Sequence, residues 1–361
     1  MTGGNKMKKL LLASVAISGL ALAAPAHADI DLEVGGYFKG YGAFVNQDET
    51  TGTDVNAFDM LRETELHFGG ETTLDNGLTV GAHIEYTADG ADTNPGISES
   101  YVYFSGNWGR VNVGNEDGAG YLLQVAAPSA DSNVDGISQY VSGFVTAGGL
   151  TQMVLDYGMD PSDTADKVTY LSPILSGFQV GASMSPDTND ADQLSVGTDT
   201  NAAGSIGETY EIALRYEGEF ENVGVTAGAG YSLGKEEGSS ATTDDREVWN
   251  VGLDLDVAAF GLGVVYVEDN QGVAGTASND REKMVVGADY TTGPFKLGVS
   301  YFNQEDKATN GVEYDRYTGG VVYEYGPGMS FRGSVQFLEQ ENPGAADADG
   351  TAVLLGTQIN F

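Results

Sequence analysis

The sequence predicts an all-β protein, a transmembrane antiparallel β-barrel of 16 strands. Three observations predict it: apolar and polar residues alternate in short segments, the connections alternate between short and long, and no apolar run after residue 28 is long enough for a membrane helix. Alternation puts apolar side chains on one face of a strand and polar ones on the other. A sheet in lipid cannot leave an edge unpaired, so it must close on itself.

Sixteen segments carry the strand pattern. In 77–89, for example, Leu78 and Val80 point to one face, and His83 and Glu85 point to the other. The predicted strands are 31–46, 59–71, 77–89, 97–106, 108–115, 166–172, 176–186, 208–218, 222–233, 246–256, 259–269, 281–291, 294–304, 313–325, 328–340 and 351–361.

The connections between these strands fall into two sets. One set is short, such as the turn at 71–77, which ends in Asp75-Asn76-Gly77. The other set is longer, polar and acidic: 47–58, 90–96, 116–165, 187–207, 234–245, 270–280, 305–312 and 341–350. Outer-membrane barrels have short periplasmic turns and longer extracellular loops, so both chain ends are expected on the periplasmic side.

Aromatic residues near strand ends support a membrane location. Such rings form belts at the two membrane interfaces, although the β-propensity of aromatic residues would explain any single one. They are Phe38, Tyr86, Tyr210, Tyr216, Tyr231, Tyr290, Tyr301, Tyr323, Tyr325 and Phe361.

Residues 116–165 interrupt the regular spacing of strands. A long insertion with few strand signals is unusual in a compact domain and is usually functional. We expect this third long loop to fold into the lumen and narrow the pore. Segment 150–157 could form a seventeenth strand, but a single-chain barrel closes with an even number, so we assign it to the insertion.

The first 28 residues predict a secretory signal peptide. Met7-Lys8-Lys9 is the positive region, an apolar stretch follows, and Ala26-His27-Ala28 fits a cleavage site between Ala28 and Asp29. Residues 1–6 form a short upstream extension. Residues 29–361 are predicted to be a single barrel domain.

Composition excludes several function classes. Three of the 16 basic residues precede residue 29, which leaves 13 basic against 53 acidic residues, or a charge of about −40. Nucleic acid would be repelled by that charge. With no Cys and only His67 and His83 after residue 28, we expect neither disulfides nor a histidine-rich metal centre. We find no catalytic motif and expect no enzyme.

Four stretches together resemble the Gram-negative general diffusion porins, particularly the alphaproteobacterial type. They are Leu66–Leu78 with its turn, Gly109–Gly118 before the long insertion, Lys167–Ala182 after it, and the terminal Gln358-Ile359-Asn360-Phe361. The resemblance covers the whole mature chain. It implies a trimeric sixteen-stranded barrel whose third loop folds inward, and a terminal Phe361 that is recognised by the outer-membrane assembly machinery.

Porins of this kind oppose acidic residues on the inward loop to basic residues on the wall. On the loop, the candidates are Glu116, Asp117, Asp131 and Asp135. On the wall, the candidates are charged residues that the strand alternation places on the lumen side: Lys39, Glu65, His83, Glu85, Arg110 and Lys167. Related porins often carry Arg where this chain has Glu65, so this wall is less basic and cation preference is expected.

The leading hypothesis is an outer-membrane channel for passive diffusion of small hydrophilic solutes and ions, without a cofactor. Partners implied are a homotrimer, outer-membrane lipid and lipopolysaccharide, and the assembly machinery. The acidic loops could also bind divalent cations such as calcium. Alternatives are a channel selective for sugars or organic acids, for which Tyr37 and Tyr41 have lumen parity, a secreted all-β binding protein, and a barrel hydrolase.

Overall fold

The computed structural model describes residues 30–89, 96–188, 196, 202–238, 240–274, 280–307 and 311–361. Within them, sixteen strands form a closed antiparallel barrel in which every strand pairs with its sequence neighbours, and the last strand pairs with the first. This confirms the predicted closed antiparallel barrel of sixteen strands. The predicted signal peptide lies outside the described residues.

The strand bounds agree closely with the alternation pattern. The strands are β1 (Asp31–Gln47), β2 (Phe58–Thr73), β3 (Thr79–Asp89), β4 (Gly96–Gly106), β5 (Gly109–Asn115), β6 (Asp166–Leu171), β7 (Phe178–Ser185), β8 (Ile206–Phe220), β9 (Val223–Glu236), β10 (Arg246–Val257), β11 (Phe260–Asp269), β12 (Arg281–Thr292), β13 (Phe295–Asp306), β14 (Val312–Gly326), β15 (Met329–Glu341) and β16 (Ala348–Asn360). Two one-turn helices, α1 (Ala119–Leu122) and α2 (Ser132–Asp135), lie between β5 and β6. No helix in the described part of the chain has the length and apolar character to cross a membrane.

The two faces of the wall differ in chemistry. On β10, Val251 and Leu253 are exposed on the outer face, while Val248 and Asn250 are buried on the inner face. The same alternation runs around the barrel, so the outer face is a continuous apolar surface and the inner face carries most polar and charged groups. This is the pattern expected of strands with lipid outside and a polar interior.

Tight turns join the strands at one end of the barrel. The β8–β9 turn is Glu221-Asn222, with φ of 57° and 154°. Positive φ at both central residues matches the twist of the flanking strands, and asparagine tolerates it better than most residues. Because neighbouring strands are antiparallel, the longer connections leave and re-enter the wall at the opposite end.

Residues 116–165, called the long segment below, contain no strand. Stretch 150–157, the alternative seventeenth strand, makes only an isolated bridge between Ser138 and Asp156. Two buried apolar clusters in the described part of the chain lie where the long segment meets the inner face of the wall. One includes Phe144 and Leu150 against Tyr41 and Leu354, and the other includes Leu155, Tyr157 and Met159 against wall valines.

Candidate pore constriction

A belt of glycines on the inner face makes room for the long segment. The belt crosses β9 to β14, and it comprises Gly228, Gly252, Gly263, Gly287, Gly298 and Gly320. Three pairs of these face each other directly across neighbouring strands. A Cβ at Gly287 would lie 2.1 Å from the Pro128 carbonyl oxygen, and a Cβ at Gly298 would lie 2.3 Å from the Ala130 nitrogen. Wall side chains are therefore absent where the backbone of residues 125–130 passes.

Asp131 fixes the next part of the long segment to two wall strands. Its Oδ2 accepts a 2.6 Å hydrogen bond from the Tyr41 hydroxyl on β1, and its Oδ1 pairs with Arg332 Nη1 on β15 at 2.6 Å. Oδ1 also accepts a bond from the Asn133 backbone nitrogen, which caps α2. Charge-assisted bonds of this length are among the stronger polar contacts in proteins.

Asp135 lies at the other end of α2, against β13 and β14. The Ser300 hydroxyl donates a hydrogen bond to it. Burial raises the pKa of Asp135 to about 6, while Ser300 and the Arg316 guanidinium oppose that rise. Arg316 itself is fully buried and donates to Gln139 and Gln336. The positive charge of Arg316 is thus held beneath the long segment.

Lys167 holds the two ends of the long segment together. Its ammonium donates to the backbone carbonyls of Glu116, of Asp163 at 2.7 Å and of Ala165 at 2.8 Å. The side chain is buried and faces the long segment's own backbone. Glu116 accepts a 2.5 Å bond from the Asn112 amide. These contacts give Lys167 and Glu116 a supporting position at the base of the segment.

A cluster of acidic side chains surrounds the place where the two ends of the long segment meet. Burial raises the pKa of Asp117, and burial together with Asp117 and Glu211 raises the pKa of Asp160. Glu211 on β8 accepts bonds from the Gly120 nitrogen at 2.8 Å and the Ser162 hydroxyl at 2.7 Å. Carboxylates brought this close resist ionising together.

The remaining predicted wall residues lie on β1 to β5, and all face inward. Lys39 pairs with Glu63 at 3.1 Å. Arg110 donates to Asn112 at 2.6 Å and lies 3.9 Å from the centre of the Tyr103 ring. Glu65, His83 and Glu85 form one polar group with His67. The terminal Phe361 exchanges backbone bonds with Gly36.

Several charged residues at this interface escaped the sequence analysis. Arg215 donates to the Gln124 carbonyl at 2.8 Å, and Lys283 lies 3.7 Å from Asp156 of the long segment. Arg316 and Arg332 complete the set. Period-two parity on β8, β12, β14 and β15 would have placed all four on the inner face. The alternation pattern gives the face on which a residue lies. It does not give the path of the long segment, and that path decides which of the four residues it contacts.

Comparison with known proteins identifies the family and the fold. Residues 13–343 match the model of the family described as Gram-negative porin. The anion-selective porin from Comamonas acidovorans has a similar structure, with a TM-score of 0.65 and 17% identity over 92% of this chain and all of that one. A triple mutant of the Rhodopseudomonas blastica porin gives a TM-score of 0.56 with 15% identity over 91% of this chain and all of that one.

An uncharacterized protein of Rickettsia conorii is 24% identical over an alignment of 213 residues, and the match covers 50% of this chain. The match spans about half the length of that relative, 49%. Porins are passive channels of the outer membrane and catalyse no reaction. The family match covers most of the sequence, and the closed sixteen-stranded barrel agrees with it. The chain therefore belongs to the Gram-negative porin family.

Proposed function

We propose that this porin is a water-filled, cation-preferring channel for passive diffusion of small hydrophilic solutes and ions, and that the long segment is its constriction. The long segment contacts wall strands on several sides of the barrel, among them β1, β8, β13 and β15. A segment attached in this way reduces the open cross-section and brings charged groups close to any passing solute. Diffusion through such a gap needs no cofactor.

One observation carries the cation preference: ten of the thirteen basic side chains after residue 28 are in ion pairs with carboxylates. Of the other three, Lys167 donates to backbone carbonyls, Arg316 is buried, and Arg110 donates to Asn112. All thirteen lie in the described part of the chain. Because acids outnumber bases by about 40, the uncompensated charge of the mature chain is negative, and it favours cations over anions at the pore.

The test is planar-bilayer recording of the purified protein, with the reversal potential measured in a salt gradient. Stepwise openings with a cation-selective reversal potential are expected. Openings with anion preference, the selectivity in the name of the Comamonas porin, would refute the cation preference and keep the channel. Folded protein that never opens would refute the channel itself.

Sugar or organic-acid selectivity is the alternative, and it needs exposed aromatic or basic side chains along the lumen. The alternation pattern makes Tyr41 a candidate for such a track, but its ring is buried and its hydroxyl is bonded to Asp131. Tyr37 donates to Glu63 at 2.8 Å. Because both hydroxyls are already bonded to carboxylates, they are not available to line a track for sugars, which favours the general diffusion channel.

We infer export with cleavage between Ala28 and Asp29, a homotrimer in outer-membrane lipid with lipopolysaccharide around it, and recognition of the terminal strand through Phe361. The apolar outer face and the exposed Phe361 ring support these inferences. The acidic loops remain candidates for divalent cations such as calcium. Chemical cross-linking in mild detergent would test the trimer, and loss of membrane insertion in a Phe361→Ala variant would test the terminal signal.

A further inference from the structure

His67 and His83, the only histidines after residue 28, come together on the inner wall. They lie on neighbouring strands β2 and β3 and face the same side. His67 is directly opposite Glu85 across the strand pair, and His83 is opposite Gly69. Two histidines alone predict no histidine-rich metal centre. The fold instead joins both of them to a carboxylate.

The spacing of these groups fits a metal ion. His83 Nε2 lies 2.9 Å from Glu85 Oε1, and His67 Nδ1 lies 3.4 Å from the same oxygen. Two ligands that are each about 2.0–2.1 Å from a tetrahedral Zn²⁺ lie roughly 3.4 Å apart. One ligand atom from each of the three residues lies within 4.8 Å of the other two. Binding of such an ion would bring these ligand atoms from within 4.8 Å to roughly 3.4 Å of one another.

Glu65 supplies a second, independent feature of a metal site. Its Oε1 lies 2.8 Å from His67 Nε2, the ring nitrogen on the other side from Glu85. A histidine that binds a metal through one nitrogen almost always donates its other N–H to a carboxylate, carbonyl or water. Glu65 is therefore placed to orient His67 with Nδ1 free for a metal.

The donor set selects the class of ion. Two imidazole nitrogens and a carboxylate suit Zn²⁺, Cu²⁺ and similar transition-metal ions, whereas Ca²⁺ and Mg²⁺ prefer oxygen ligands throughout. The site is also reachable, because the side chains of His67, His83 and Glu85 are 31%, 23% and 19% exposed. The nearby Lys39 ammonium is paired with Glu63, which reduces its repulsion of a cation.

We propose that His67, His83 and Glu85 bind a divalent transition-metal ion on the inner wall of the barrel, with Glu65 orienting His67. The binding site stands on the wall geometry alone. Its position in the permeation path rests on the channel function proposed above. If that function holds, Zn²⁺ or Cu²⁺ pauses at this site while crossing the pore and obstructs other ions.

The first test is binding to the folded mature protein, prepared without a histidine tag in detergent. Cu²⁺ is titrated and followed by electron paramagnetic resonance, and Zn²⁺ binding is measured by calorimetry. We expect one ion per chain and nitrogen couplings from two imidazoles. Glu65→Gln should weaken binding by about 10- to 100-fold, the loss usual for an outer-sphere partner, and His67→Gln and His83→Gln should each weaken it more.

The control is Asp256→Asn, which removes an inner-face carboxylate on β10, eight strands away around the wall. It should leave the affinity for both ions unchanged. Affinity that survives the double variant His67→Gln/His83→Gln, or Cu²⁺ spectra without nitrogen couplings, would overturn the proposal.

Conductance separates the site from the channel. Micromolar Zn²⁺ should reduce the current through wild-type protein and not through the double variant, whereas Mg²⁺ should affect the two equally. Protein that binds Cu²⁺ through two imidazoles but never conducts would refute the channel and leave the metal site standing. Conducting protein without imidazole-bound Cu²⁺ would refute the metal site only.

Discussion

Arg332 and Asp131, which are 201 residues apart in sequence, form a buried ion pair with a 2.6 Å contact between Nη1 and Oδ1. The Arg332 side chain is 12% exposed and that of Asp131 is 1% exposed. A buried charge that loses its partner keeps the full cost of its desolvation. The pair therefore ties the position of the long segment to β15.

Replacing Arg332 tests this attachment. Arg332→Met should lower the free energy of unfolding by about 3–5 kcal/mol, because Asp131 would stay buried without its counter-charge. Denaturant unfolding of the folded protein in detergent measures the change. Arg62→Met is the matched control: Arg62 pairs with Asp89, but the two side chains are 62% and 41% exposed, so a loss of only about 0–1 kcal/mol is expected. Equal losses in both variants would contradict the buried pair's role.

The glycine belt predicts a steric effect at Gly287. Gly287→Ala places a methyl group 2.1 Å from the Pro128 carbonyl, so the long segment must move away from the wall. We expect a stability loss of about 1–3 kcal/mol, typical of overpacking, and a lower single-channel conductance.

Gly319→Ala is the control for the belt, because nothing lies within 4 Å of a Cβ at Gly319. Its stability should change by no more than about 0.5 kcal/mol, with wild-type conductance. If Gly287→Ala conducted as the wild type does, the long segment would not set the width of the pore.

Removing the Lys167 ammonium should loosen the base of the long segment. Lys167→Met leaves the carbonyls of Glu116, Asp163 and Ala165 without this donor. Each unsatisfied buried group costs about 1–3 kcal/mol. Limited proteolysis should then cut within 116–165 faster than in wild type. Lys296→Met, which removes a 40% exposed lysine, should leave the cleavage rate unchanged, and equal rates in both variants would count against the anchor.

Cation preference should depend on pH through two carboxyls of the long segment. Burial raises the pKa of Asp117 to about 8, and the pKa of Asp160 is also raised. A carboxyl with a raised pKa is neutral below that value, so the negative charge of the segment grows as pH rises from about 6 to about 9. Ordinary carboxylates, with pKa values near 4, keep their charge throughout this range.

The reversal potential in a salt gradient should therefore become more cation-selective over that pH interval. Asp117→Asn/Asp160→Asn should flatten the dependence, while Asp54→Asn, on the exposed β1–β2 connection, should preserve it. A wild-type reversal potential that stayed constant from about pH 6 to about pH 9 would contradict the assignment.

Period-two patterning was sufficient to predict the barrel, because lipid on one side and polar groups on the other impose the same alternation on every strand. The largest error in a strand start is at β16, which begins at Ala348 and not at residue 351. These three residues pair with Leu338, Glu339 and Gln340 on β15, and Gly350 also pairs with Gln47 on β1. Such long-range partners do not appear in the local pattern.

The contacts of the charged residues in the pore were harder to predict, because they also depend on partners far away in the sequence. Parity correctly assigned Lys39, His83 and Arg110 to the inner face, since side-chain direction is a local property of a strand. The alternation pattern does not determine which residues an inward-facing side chain contacts. The contact of Asp131 with Arg332 depends on the path of a fifty-residue segment with no repeating pattern. The meeting of His67 with His83 depends on the register between β2 and β3.

The pairing of β1 with β16 has a consequence for folding. These strands exchange bonds from Tyr37–Asn360 to Gln47–Gly350, so contacts that complete the wall join residues about 300 positions apart. Loops of that length close slowly because their chain entropy is lost before the contacts form. Until then, both terminal strands have open edges that can pair with other chains. Closure of the wall must therefore wait until β16 has been synthesised, and the unclosed sheet needs protection from aggregation during that interval.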